Sequence, residues 1–140
     1  MKAVWCATWN SNAMRILFCD TSFEHARRLL RKHLPHDRIW CCPRSEIGEH
    51  LAEAEVAIPL MSTLDAPLLK RGKRLRLIQQ FGVGLEGIDL EAAWTMGIEV
   101  ANVPSEQTGN TVSVTEWVLL LMLALARDNQ ARQTLLNRDG

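Results

Sequence analysis

From Met14 onward, short apolar runs alternate with stretches whose apolar residues fall at helical spacing. Arg15 to Cys19 reads as a buried strand. Thr21 or Ser22 then caps a helix carrying Phe23, Ala26, Leu29, Leu30 and Leu34 on one face, ended by Pro35. Arg38 to Cys42 reads as a second strand, Val56 to Leu60 as a third, Leu75 to Phe81 as a fourth and Ile98 to Val103 as a fifth. Between them the pattern predicts helices over Ser45 to Ala54, Leu64 to Arg71 closed by Gly72, and Leu90 to Met96 capped by Asp89 and closed by Gly97. A polar loop, Ser105 to Asn110, leads into a long helix from about Thr111 to Asn137.

Strands separated by helices make βαβ units and hence a parallel sheet. The expected fold class is α/β: a flavodoxin-like, doubly wound, five-stranded parallel sheet with a long C-terminal helix. In such sheets ligands bind beyond the carboxyl ends of the strands, so the loops after Cys19, Leu60, Phe81 and Val103 are the ones to watch. Residues 1–13 fit nothing that follows and are set aside as an N-terminal extension; residues 14–140 form the domain.

Composition narrows the function classes. The 140 residues make one domain by length, with 16 Lys plus Arg balancing 16 Asp plus Glu. That neutrality leaves no electrostatic footprint for nucleic acid. The most apolar stretch, Val112 to Ala126, contains Glu116 and is shorter than the roughly 18 residues a bilayer requires, so no membrane partner is expected. Cys6, Cys19, Cys41 and Cys42 include no C-x-x-C pair, so no metal site is expected and the thiols read as reduced, in a cytoplasmic protein. A receiver domain is excluded, because Pro59-Leu60 and Val103-Pro104 stand where its Asp and Lys belong. Flavodoxin is excluded because Thr108-Gly109-Asn110 follows the fifth strand rather than the first.

Gly82-Val83-Gly84-Leu85-Glu86-Gly87 satisfies G-x-G-x-x-G and follows a strand, as a dinucleotide fingerprint does. The helix should open at the second or third glycine, with its N–H groups toward the pyrophosphate. Here Ile88-Asp89 intervenes, and a capping Asp89 would oppose a phosphate. The following strand also ends Val100-Ala101-Asn102-Val103, without the acidic residue that holds a ribose. Two readings remain open for the loop: a backbone cradle whose N–H groups hold a carboxylate, or a plain tight turn needing glycine for positive φ.

Three segments carry a resemblance. Leu75 to Ala93, Gly97 to Pro104, and Asn110-Thr111-Val112-Ser113-Val114-Thr115-Glu116 continuing to Arg127 resemble, in order and spacing, the D-2-hydroxyacid dehydrogenases. The resemblance implies the substrate-binding domain and hinge helix of a two-domain NAD(P)-dependent oxidoreductase, with the Rossmann cofactor domain absent. It implies that Gly82, Val83 and Gly84 bind the carboxylate of a small 2-keto or 2-hydroxy acid, with Asn110 a further substrate contact. It implies that Val83 and Val114 approach the nicotinamide of NAD or NADP. It places the family's Arg, Glu and His outside these residues, so no catalytic residue is expected on this chain. The isolated chain is then expected to be inactive, to bind no cofactor tightly, and to derive from an enzyme that is a homodimer at full length. Glu86 and Gly87 stand where the family has Asp and Asn, Thr115 where it has Ala, and no Arg follows the third strand as it often does in phosphoglycerate-type members. His25, His33, His36 and His50 read as surface residues rather than acid catalysts. The alternative is a stand-alone small-molecule or peptide-binding module of corepressor type.

Overall fold

Five strands, β1 (Arg15–Phe18), β2 (Arg38–Cys41), β3 (Val56–Ile58), β4 (Leu77–Gln79) and β5 (Glu99–Ala101), pair in the order β2-β1-β3-β4-β5. Every pairing is parallel: Ile16 lies opposite Ile39 on one side and Val56 on the other, and Ile78 lies opposite Val100. The computed structural model describes residues 13–105 and 109–127. This order is the doubly wound arrangement the sequence predicts, with the direction of winding reversing between β1 and β3.

The two sheet faces follow from strand periodicity. Ile16 and Phe18 point to one face, where Ile39, Val56, Ile58 and Leu60 join them under Ala26 and Leu30 of α1 (Glu24–His33) and Leu34 just beyond it. Leu17 and Cys19 point to the other, against Leu51, Leu69, Ile78, Ile88, Ala93 and Ile98. That second face carries α2 (Ile47–His50), α3 (Ala66–Leu69) and α4 (Leu90–Thr95). Phe18 is 1% exposed, so truncating it to Ala costs about 3–5 kcal/mol.

Local details correct several expectations. The first helix is not capped by Thr21 or Ser22: its N-cap is Phe23, in the left-handed region at φ 61°, because Asp20 takes both the N–H and the hydroxyl of Ser22. The expected helix over Ser45 to Ala54 is broken into 3-10 turns at Arg44–Glu46 and Leu51–Glu53 around α2. The helix after β3 is shorter than predicted, and Asp65 caps it by accepting the Leu68 N–H at 2.9 Å. Asp89 caps α4 as expected, accepting the Ala92 N–H at 3.0 Å.

The chain divides into two compact units, one running to Val103 and one beginning at Pro104. The second holds α5 (Asn110–Ala126), whose N-cap is Gly109 at φ 66°. The helix predicted to reach Asn137 is described as far as Ala126; residues 1–12, which make up nearly all of the expected extension, lie outside the described residues. Among the described residues no helix is long and apolar enough to cross a membrane, and no group of three His, Cys, Asp or Glu is placed to hold a metal.

Candidate functional site

The carboxyl ends of β1, β3 and β4 meet at one edge of the sheet, and hydrogen bonds lace their loops together. Cys19 donates its N–H to Ile58 at 2.9 Å, and its own carbonyl accepts the Ser62 hydroxyl at 2.6 Å. The loop after β3 then runs beside the end of the glycine loop: the Leu64 N–H donates to the Gly87 carbonyl at 2.8 Å, and the Asp89 N–H to Leu64 at 3.0 Å. The approach is tight at position 87: a Cβ there would stand 3.2 Å from the Ser62 carbonyl oxygen, which would have to give way slightly.

Three side-chain or backbone donors fix the glycine loop from behind. The Gly82 carbonyl accepts the Val103 N–H at 2.9 Å. The Val83 carbonyl accepts the Asn102 side-chain amide at 2.7 Å. The Gly84 carbonyl accepts Gln80 Nε2 at 3.0 Å, and the same nitrogen reaches the Leu60 carbonyl at 3.1 Å. Gln80 Oε1 accepts the Phe81 N–H at 3.0 Å, so this one side chain ties β4, the glycine loop and the loop after β3. Gln80 and Asn102, which hold this loop, are not among the site residues expected from the sequence. The signal was present: a polar pair, Gln79-Gln80, and a lone Asn102 interrupt the apolar ends of β4 and β5.

With all three carbonyls bound, the amide N–H groups of Gly82, Val83 and Gly84 have no acceptor among the described residues. A Cβ built on Gly82 meets nothing within 4 Å, so open space adjoins the loop there. Positive φ occurs at Gly97 and Gly109 but not at Gly82, Gly84 or Gly87, so the tight-turn reading loses its physical basis. The three amides are thus left without an acceptor among the described residues, beside the open space at Gly82. The Glu86 carboxylate lies against Gly84, where it would collide with an added Cβ.

The loop does not fit a pyrophosphate. Asp89 places its carboxylate on the first N–H groups of α4, the position a phosphate would need. Other expected residues lie as follows. Val83 is 36% exposed on the loop. Val114 is exposed on α5, and Asn110 opens that helix. Both belong to the second unit. His25, His33 and His36 are exposed, and His50 accepts the Trp40 indole N–H at 3.3 Å; none stands at the ends of β1, β3 or β4.

A charged cluster lies at the ends of β1 and β2. Asp20, 8% exposed, accepts the Ser22 N–H and hydroxyl at 2.8 and 2.7 Å and pairs with Arg44 at 2.5 Å. Those hydrogen bonds, then the guanidinium, hold its carboxyl down at about 2. Arg27 is buried; it donates to the Ser22 carbonyl and pairs with Glu24. Cys19 and Cys42 are buried free thiols, pushed up to about 12 and about 11, chiefly by burial.

Residues 16–136 match the family described as D-isomer specific 2-hydroxyacid dehydrogenase, catalytic domain. The chain belongs to that family. This D-2-hydroxyacid dehydrogenase domain is 34% identical over 116 residues to a D-3-phosphoglycerate dehydrogenase of Archaeoglobus fulgidus, covering 81% of the chain and 21% of the relative. It is 32% identical over 114 residues to a glyoxylate reductase of Aeropyrum pernix, covering 79% of the chain and 34% of the relative. Among solved structures it resembles the TT0316 protein of Thermus thermophilus with a TM-score of 0.68 and 31% identity, over 91% of this chain and 41% of that one. The dehydrogenase domain thus spans between a fifth and two fifths of the length of these proteins.

Proposed function

We propose that residues 14–140 are the substrate-binding part of an NAD(P)-dependent dehydrogenase that interconverts a 2-keto acid and a D-2-hydroxy acid. The observation that carries this reading is the glycine loop: three carbonyls bound from behind, three N–H groups open. A 2-keto acid presents a carboxylate to those amides, which fixes the orientation of the adjacent carbonyl. NAD(P), when bound, supplies or accepts the hydride at that carbon. In this reading Val83 and Val114 border the nicotinamide, and Asn110 contacts the substrate.

The acid that protonates the carbonyl oxygen must reach it within hydrogen-bond distance. The described histidines are on the surface of α1 and α2 or beyond, away from the glycine loop. The 140-residue chain by itself is therefore a binding unit without turnover. Two-dimensional amide NMR of the isotope-labelled chain tests this. Glyoxylate should shift the Gly82, Val83 and Gly84 amides, while NADH added with glyoxylate is not consumed. Unmoved loop amides at saturating glyoxylate would discard the carboxylate site; steady NADH oxidation would discard the claim of a turnover-free unit.

A further inference from the structure

We propose that the acid held by this loop carries an apolar side chain rather than a phosphate or second carboxylate; the proposal rests on the carboxylate reading of Gly82–Gly84. It starts from a contact that skips a strand. Phe23 follows β1 and Phe81 follows β4, two strands separated by β3 and so about 10 Å apart. Their rings nevertheless meet edge to face, 5.9 Å between centroids. The pair therefore bridges the carboxyl end of β3, beside the glycine loop that Phe81 immediately precedes. Both rings remain about half exposed, at 48% and 52%, and Met61, which follows β3, is 75% exposed. Three large apolar side chains thus stand in water at the strand ends where a ligand enters.

Backbone conformation sets the same spot apart. Among the described residues, positive φ at non-glycine positions occurs twice, at Phe23 (61°) and Leu60 (58°). Both sit at the carboxyl ends of neighbouring strands, β1 and β3. Such residues persist where the surroundings hold them, and they concentrate at ligand sites. Leu60 is held by the core, whereas Phe23, half in solvent, takes its conformation from the Asp20–Ser22 bonds that open α1.

Charge selects the occupant. The segments after β1, β3 and β4 (19–23, 59–65 and 80–89) contain Asp20, Asp65, Glu86 and Asp89 and no Lys or Arg. Arg44, which reaches in from beyond β2, pairs with Asp20 at 2.5 Å, and the buried Arg27, whose guanidinium reaches the Asp20 and Ser22 carbonyls, pairs with Glu24. A phosphate gains most from cationic donors; the arginines near this rim are already paired, and Glu86 sets an opposing charge beside the loop amides. A single carboxylate on the amides, with an alkyl or aryl group against Phe81, Met61 and Phe23, satisfies both the charge and the apolar surface.

The test titrates the isotope-labelled 140-residue chain with glyoxylate, 4-methyl-2-oxopentanoate and 3-phosphoglycerate, followed at the loop amides. The branched keto acid should bind about tenfold tighter than glyoxylate, as partial burial of a four-carbon group gives. 3-Phosphoglycerate should bind no tighter than glyoxylate. Met61→Ala and Phe81→Ala, both at exposed side chains, should each weaken the branched acid about fivefold and glyoxylate less than twofold. Equal affinity for glyoxylate and the branched acid, or tighter binding of 3-phosphoglycerate, would overturn the apolar preference while leaving the carboxylate site standing. Loop amides that respond to none of the three would overturn both.

Discussion

The side-chain amide of Gln80 donates to the backbone carbonyl of Leu60 at 3.1 Å, clamping a residue held at φ 58°. A leucine in the left-handed region costs on the order of 1–3 kcal/mol and persists only where its surroundings hold it. The same nitrogen holds Gly84, and Oε1 holds the Phe81 N–H. Gln80→Leu removes all three bonds and should destabilise the chain by about 1–3 kcal/mol. It should also loosen the loop, so that glyoxylate binding falls further than folding stability explains. Urea unfolding and NMR titration of the same variant check the two effects; an unchanged midpoint would show that the clamp bears no load.

Gly82→Ala separates site from scaffold. The added methyl meets nothing within 4 Å and φ is not in the left-handed region, so stability should change by less than about 0.5 kcal/mol. The methyl would occupy the open space beside the three free amides, and carboxylate binding should fall about tenfold. Gly87→Ala should do the reverse, costing about 1 kcal/mol through its 3.2 Å contact with the Ser62 carbonyl. Paired unfolding and binding curves for the two variants decide whether Gly82 is there for a ligand.

Glu86 stands where its carboxylate opposes an anion on Gly84. Exposed charges at such range interact by about 1 kcal/mol in water. Glu86→Gln should therefore tighten glyoxylate about two- to fivefold at low salt, with the gain shrinking as salt screens it. Titrations at low and high ionic strength check the sign; weaker binding by the variant would assign Glu86 a positive role.

The parts of this molecule that obey a period were legible in the sequence. The short apolar runs marked all five strands, and the helical stretches between them pointed to a parallel, doubly wound sheet. Asp89 was readable as a cap because its side chain acts three residues away. What sequence spacing could not reveal depends on tertiary competition. Ser22 has good capping chemistry, but Asp20 claims it first, and Phe23 takes the cap position instead. Gln80 looked like an ordinary strand-end polar residue until the loops after β3 and β4 came within reach of one amide. The glycines at 82 and 84 were ambiguous because only their dihedrals separate a turn from a cradle.

Asp20 should govern part of the acid limb of stability. Its folded value of about 2 lies below the ordinary 3.8, so the native state favours the carboxylate. The stabilisation is then present above 3.8 and lost as pH falls toward about 2. Asp20→Asn keeps an acceptor for Ser22 but loses the pairing with Arg44. It should lower stability at neutral pH and flatten the decline across that acid window. Thermal midpoints of both proteins against pH test this, and parallel curves would remove Asp20 from the acid transition.

The cysteines should divide by reactivity. Cys19 and Cys42 are 0% and 1% exposed, and burial raises both thiols far above neutrality, so almost no thiolate forms in the native state. Cys41 is half-buried and free. Iodoacetamide at about pH 8 should therefore modify Cys41 readily and leave Cys19 and Cys42 untouched until denaturant is added. Mass spectrometry of peptides from native and unfolded samples reads each thiol separately. Native labelling of Cys19 at the rate of Cys41 would mean that the edge between β1 and β2 opens often, and the loops built on β1, the Ser62–Cys19 bond included, would then be less fixed than the strand register implies.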